Sequence, residues 1–306
     1  MAASKVRVDA QSEGQRLDNF LMKRLKGVPR SRIYRMVRKG EVRVNGGRAR
    51  IQTRLQAGDE VRIPPVQVRP VREDRVPEAV LEKLSAAVIH QDRDYLVLDK
   101  PAGIAVHKGS GQPWGVIEAL RQIRPDWKGL ELGHRLDRDT SGCLVLAFHR
   151  DALLHFQQVL RQGEVVKHYL ALVQGYPDDE CMEVRLPLRR QVLQGGERMV
   201  QVDPVGGKPA CTVFRTRERY RHASLVQCEL LTGRTHQIRV HASAMGFPLA
   251  GDEKYGRAEF NRHLRTVGLT RLFLHCAMMA FPRPDGEMLM VHAPLPQALR
   301  RVLDRL

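Results

Sequence analysis

Prolines at 64, 65, 70 and 77 cut this 306-residue chain in two. A proline fixes its own φ and carries no amide hydrogen. Pro64-Pro65-Val66-Gln67-Val68-Arg69-Pro70 therefore cannot be a helix and reads as an extended connection. The chain is expected to divide into a small module at 1–70, a linker at 71–85 and a large domain at 86–306. Charge divides the same way. Of the formal net charge of +17, residues 1–70 hold +11 and the rest +6. A chain this basic meets a polyanion. No run of about 18 apolar residues is present to span a membrane, and Met1 to Val8 lack an apolar signal core. The five cysteines (143, 181, 211, 228 and 276) form no Cys-x-x-Cys pair. That pattern opposes a zinc site or a disulfide framework and fits a reducing cytoplasm.

Two short helices are expected in the small module. The first starts near Arg16, with Leu17, Phe20, Leu21 and Leu25 on one face. The second follows Pro29-Arg30, with Ser31 as N-cap, Ile33, Met36 and Val37 as the apolar stripe, and Gly40 as the stop. Off that stripe lie Arg30, Arg32, Arg35, Arg38 and Lys39, without a carboxylate among them. Guanidinium groups fork onto phosphate oxygens, so this face suits a nucleic-acid backbone. Glu41 to Gly47 reads as a short strand and hairpin turn. The order resembles an S4 RNA-binding domain across residues 14 to 64.

In the large domain the densest chemistry is Gly133-His134-Arg135-Leu136-Asp137-Arg138-Asp139-Thr140-Ser141-Gly142. The apolar run Leu144 to Phe148 follows it and reads as a buried strand, so the charged string is a loop feeding that strand. Arg16-Leu17-Asp18 repeats part of the string but sits at a helix start, where Asp18 is a helix-terminal carboxylate. Strands are expected at 87–90, 95–100, 167–175, 225–231, 272–277 and 288–293, and helices at 151–161, 235–245 (Thr235 as N-cap) and 296–306. They indicate an α+β fold with a largely antiparallel sheet. Tyr169 alternates with Ala171 and Val173 and, from the residues alone, is a core tyrosine with its hydroxyl satisfied. The glycine-rich loop 109–115 lacks the Gly-Lys-Ser/Thr of a triphosphate loop. His236 and His241 are spaced poorly for a shared metal on one helix face.

His-Arg-Leu-Asp-Arg-Asp-Thr-Ser-Gly at 134–142 resembles the active-site motif of the RluA-type pseudouridine synthases. So do Lys100-Pro101-Ala102-Gly103 with Val106-His107, Lys-x-Tyr-x-Ala-x-Val-x-Gly at 167–175, and Thr-Gly-Arg-Thr-His-Gln-Ile-Arg-Val-His at 232–241. The resemblance implies the mixed sheet of that family and isomerisation of uridine to pseudouridine. Arg-Lys-Gly-Glu-Val-Arg-Val-Asn at 38–45 and the spacing at 109–111 resemble members that act on large-subunit ribosomal RNA. Asp137 is then the catalytic carboxylate, acting at C1′ as nucleophile or at C2′ as base. Tyr169 packs under the target base or serves in removing the C5 proton. Arg135 fills the space the flipped base leaves. The third motif supplies a cation to keep Asp137 ionised. Arg234 is assigned that part, with Arg239 as runner-up. Asp139 is read as structural and His134 has no assigned role. The one departure noted, Gly251-Asp252, touches no residue assigned to catalysis. The isomerisation needs no redox step and no net water, so no cofactor or metal is expected. A cytoplasmic monomer acting on RNA is expected. An RNA N-glycosylase would instead release free uracil, and a non-catalytic ribosome-binding protein would need only the basic module.

Overall fold

The computed structural model describes residues 3–25, 27–66, 75–109, 113–177, 179–192 and 198–306. Residues 67–70 of the proline-rich stretch and 110–112 of the glycine-rich loop lie outside them. The chain forms two compact units, Met1–Asp74 and Arg75–Leu306.

The first unit holds β1 (Ser4–Arg7), α1 (Leu17–Arg24), α2 (Arg30–Arg38), β2 (Arg43–Val44), β3 (Gly47–Arg48) and β4 (Glu60–Ile63), with sheet order β1-β4-β2-β3. Leu17, Phe20 and Leu21 from α1 and Ile33, Met36 and Val37 from α2 close over Val42, Leu55 and Val61. Each such side chain taken fully out of water contributes roughly 1.5–3 kcal/mol. Ser31 is not the N-cap of α2. The N-cap is Pro29, two residues earlier, whose extended backbone sets the entry, and Ser31 lies in the first turn. Gly40 ends the helix with φ +71°, a conformation glycine adopts without strain. Asn45 and Gly46 both have positive φ, the turn that suits a two-residue hairpin between β2 and β3. Asp18 is a buried first-turn carboxylate of α1, 3.0 Å from Arg16.

The second unit opens on α3 (Glu78–Ser85), β5 (Val88–Gln91), β6 (Tyr95–Lys100), α4 (Val116–Ile123), β7 (Glu131–Leu132), β8 (Ser141–Ala147), α5 (Arg150–Gln162) and β9 (Val166–Gln174). It continues with β10 (Cys181–Val184), β11 (Leu188–Val192), β12 (Arg198–Val202), β13 (Thr212–Tyr220), β14 (Ala223–Leu230), α6 (Gln237–Ala244), α7 (Ala258–Thr266), β15 (Leu274–Pro282), β16 (Met288–His292) and α8 (Gln297–Leu303). The helix α3 falls inside the stretch expected as linker. Leu81 and Leu84 bury it in the larger core, so this unit begins before residue 86.

The main sheet runs β10-β13-β14-β9-β15-β8-β6-β5, with β16 beside β15 and β7 beside β8. Its pairings are antiparallel except β8 with β15. β9 lies near its centre and serves two cores. Tyr169, Ala171 and Val173 join the main cluster, while Leu172 packs with Phe260, Leu264, Leu299 and Val302 from α7 and α8. The alternation expected for that strand is thus real and buries both its faces. β11 and β12 form a separate hairpin.

Candidate active site

The loop 133–140 is pinned at both ends by glycines that have no room for a side chain. A Cβ on Gly133 would sit 2.9 Å from the Phe156 ring, and one on Gly142 would sit 2.2 Å from the Cys276 carbonyl. Gly142 also has φ +107°, so only glycine fits where β8 meets β15. Between them, Lys100 holds the loop from behind. Its fully buried ammonium donates to the carbonyls of Pro101 (2.8 Å), Ile104 (2.9 Å) and Arg138 (3.0 Å). Burial pushes its pKa down to about 7. His134 accepts the Val145 amide at 3.0 Å, and its ring stacks toward Phe156. Burial lowers its pKa to about 4, so it is a neutral structural acceptor. Asp139 pairs outward with Arg138 at 3.1 Å. Behind the loop, Ser141 Oγ meets His275 Nδ1 at 2.9 Å and accepts from Arg271 at 2.8 Å.

These constraints leave Asp137 facing a cavity of about 870 Å³. Tyr169, Arg135, His236, Arg239 and Arg234 line the same cavity. The Asp137 side chain is 31% exposed, enough for a ligand to reach it. Tyr169 forms the floor at 6% exposure, beside Cys276 and Cys228 on the neighbouring strands. Burial, the Cys276 thiol and the Asp137 charge all raise its pKa, so its hydroxyl stays protonated. Arg135 is exposed at the cavity wall.

The cation beside Asp137 is Arg239, not Arg234. Arg239 Nη1 lies 3.6 Å from Asp137 Oδ2. Arg234 is exposed and its Nε donates to the Pro209 carbonyl at 3.0 Å. The cause is local. Gln237 accepts from the Arg234 amide (2.9 Å) and the Thr232 hydroxyl (2.8 Å), while its amide group donates to Cys211 and Thr212. That clasp fixes the turn before α6 and sends the 234 side chain away from Asp137. Thr235 is likewise not the N-cap of α6. His236 takes that position with a left-handed backbone, φ 54°.

Arg239 is itself held. It makes two parallel bonds to Asp252, Nε–Oδ2 at 2.6 Å and Nη2–Oδ1 at 2.8 Å. Asp252 also accepts the amides of Lys254 and Tyr255. Burial opposes charge on both partners, but their pairing prevails, raising the Arg239 pKa and lowering that of Asp252. Gly251-Asp252 therefore does touch the site, at one remove. In sequence only the glycines at 251 and 256 flank Asp252; that the turn is tight, a Cβ meeting backbone oxygen at 2.1 and 2.2 Å, emerges in the fold. An acid held in so tight a turn needs a fixed partner.

His236 is a further site residue. Its Nε2 lies 3.7 Å from Asp137 Oδ2, and its Nδ1 lies 2.8 Å from the Tyr255 hydroxyl. That hydroxyl already accepts the Val200 amide at 2.9 Å. Assigning its proton to His236 Nδ1 leaves Nε2–H turned toward Asp137. Burial lowers the His236 pKa against the pull of Asp137, which keeps the ring neutral. Among the described residues no group of three or more His, Cys, Asp or Glu is placed to hold a metal ion.

A mixed sheet carrying a carboxylate, a clamped guanidinium and a protonated tyrosine in one open cavity defines an enzyme site. The RNA pseudouridylate synthase pattern matches residues 94–244, which contain Asp137, Tyr169, Arg234, His236 and Arg239 but not Asp252 or Tyr255. The S4 domain pattern matches residues 15–61. The chain belongs to the RNA pseudouridylate synthase family. It is 49% identical to ribosomal large subunit pseudouridine synthase C of Escherichia coli (strain K12), over 98% of this chain and 96% of that protein. The protein of that name from Pasteurella multocida (strain Pm70) is 47% identical, over 100% of this chain and 94% of its own length. Human RNA pseudouridylate synthase domain containing 4 superposes with a TM-score of 0.62 at 26% identity, covering 74% of this chain and 95% of that one.

Proposed function

We propose that this enzyme isomerises specific uridines of large-subunit ribosomal RNA to pseudouridine. The observation that carries the chemistry is Asp137, reachable from the cavity and 3.6 Å from an arginine that Asp252 holds in place. An ionised carboxylate is needed whether it attacks C1′ or takes the proton at C2′. A guanidinium fixed by a second carboxylate favours that ionised state without blocking the first. Tyr169, neutral and on the cavity floor, is suited to stack on the uracil. Arg135 takes the place of the extruded base. The exposed face of Arg30, Arg32, Arg35, Arg38 and Lys39 supplies phosphate contacts. The near full-length match to synthases named for the large ribosomal subunit supports the choice of RNA. The enzyme acts as a cytoplasmic monomer and needs no cofactor, because bond cleavage and reattachment balance internally. Among the described residues no helix is long and apolar enough to cross a membrane.

The test is incubation with fragments of large-subunit ribosomal RNA, scoring pseudouridine against free uracil. Pseudouridine at defined positions is expected. Free uracil without pseudouridine would make the enzyme a glycosylase, and neither product would overturn the substrate assignment.

A further inference from the structure

We propose that the Lys167 ammonium binds the carbonyl edge of the flipped uracil and stabilises the negative charge the base acquires as its bond to ribose breaks. Among the described residues, six cationic side chains line the cavity, Arg135, Arg138, Lys167, Arg190, Arg234 and Arg239, against one carboxylate, Asp137. Four have partners: Arg138 pairs with Asp139, Arg190 donates to Thr235, Arg234 to the Pro209 carbonyl, and Arg239 to Asp252. Arg135 is exposed and solvated. Lys167 alone is half-buried, with no hydrogen bond or ion pair to any described residue. Burial lowers its pKa, and the nearby Cys276 thiol is the only group offsetting that. A partly desolvated ammonium without a partner is costly, and a ligand acceptor removes the cost.

Its position selects the acceptor. Lys167 stands two residues before Tyr169 on β9, so both side chains leave the same face, about 7 Å apart at the backbone. Granting Asp137 and Tyr169 the roles proposed above, a base lying on Tyr169 brings its edge within reach of the flexible Lys167 stem. When C1′–N1 breaks, the bonding electron pair goes to N1 and spreads onto O2 and O4. Asp137 takes up C1′, or takes the C2′ proton on the alternative route. Reattachment through C5 and loss of the C5 proton discharge the base again. The charge exists only between those two events, so a cation at the carbonyl edge favours the transition state over the bound substrate.

The experiment compares Lys167→Met with wild type under single turnover, on one RNA carrying either uridine or 5-fluorouridine at the target. Loss of the N-glycosidic linkage is scored. Fluorine withdraws electrons and itself stabilises the negative charge on the departing base, so cleavage depends less on a cation supplied by the protein. Asp137→Asn, expected to cleave neither linkage, tests the underlying reading of the site separately from Lys167. K167M is expected to slow uridine cleavage about 100-fold and 5-fluorouridine cleavage by less than about tenfold, with RNA affinity within about threefold. Lys167→Arg, which keeps the charge, is expected to recover most of the rate and guards against a folding defect. Equal losses on the two substrates would overturn the proposal. So would an affinity loss with a shallower salt dependence, which would make Lys167 a phosphate contact.

Discussion

The outer face of α2 and the wall of the large cavity each gather several cations, and they handle them oppositely. On α2 and its C-cap, Arg32, Arg35, Arg38 and Lys39 are exposed with no ion pair to any described carboxylate, and Arg30 lies over the Tyr34 ring and donates to its hydroxyl. Around the cavity, Arg239 is 10% exposed and clamped to an acid that is 0% exposed. Water makes the first arrangement cheap and leaves each charge free to meet any phosphate. Burial makes the second possible only with a partner, and the partner fixes where the charge points. The first arrangement confers affinity, and the second confers geometry.

The same Arg-Leu-Asp string occurs in both units, at the start of α1 and in the cavity loop, which gives the strongest way to break the comparison. Asp137→Asn is expected to lower single-turnover pseudouridine formation by at least about a thousandfold, while Asp18→Asn leaves the rate at saturating RNA within about threefold. Equal losses would end the distinction. Next comes the clamp. Arg239→Met is expected to cost about 100-fold in rate with little change in RNA affinity. Arg234→Met, bonded only to a carbonyl, should cost less than about tenfold. A reversed order measured under single turnover would return the role to Arg234.

On α2 the expected effect is on binding alone. Arg32, Arg35 and Arg38 changed together to Gln should flatten the log–log salt slope of RNA binding by about 2, at roughly 0.7–0.9 per lost phosphate contact. The rate at saturation should stay unchanged. A fragment of residues 75–306, which keeps Val76 and α3 in their core, should behave the same way, weaker in binding and within about tenfold in rate. A folded, saturated but inert fragment would show that the small unit helps build the site.

Acid sharpens the contrast last. Burial pushes His134 and His275 to about 4 from the ordinary 6.5, so both stay neutral when folded. The unfolded chain takes up protons at both as pH falls from 6.5 to 4, and the large unit loses stability across that window, roughly 2 kcal/mol per histidine by pH 5. All twelve histidines lie beyond residue 74. In the small unit Asp18 is held below its ordinary 3.8, burial being outweighed by Arg16 and Tyr34. Its contribution survives until pH falls below 3.8. Thermal melts at pH 7 and 5 should move the large unit's transition down and leave the small unit's nearly fixed.

Periodicity made the helices at 17 and 30, the buried strand after Ser141 and the two-faced β9 legible, because each depends on neighbours in sequence. Strands β10 to β13 and helix α7 were not expected. β10 finds its partner β13 only across a long stretch of chain, and no apolar run marks β11, β12 or β13 as buried strands in the way that Leu144 to Phe148 marks β8. Within the site, Asp137 and Tyr169 stood inside recognisable strings. Choosing Arg239 over Arg234 required knowing that Gln237 clasps the preceding turn and that Asp252 comes back from a separate glycine turn. Both facts are tertiary. The helix at 78 was hidden by Pro77, which marks the end of an extended stretch and equally the entry to a helix.

The parallel contact between β8 and β15 joins residues far apart in the chain, Ser141 meeting His275 across 134 positions. Synthesis delivers them in that order. Until residues 274–282 emerge, Gly142 is paired on one side only, with Lys100 of β6, and Ser141 has no imidazole to meet, so the loop bearing Asp137 is seated on half of its supports. The buried partners of α2, by contrast, are complete by Ile63. A growing chain thus presents its cationic face long before it can break a glycosidic bond, and the chemistry is withheld until the last strands of the sheet have been made.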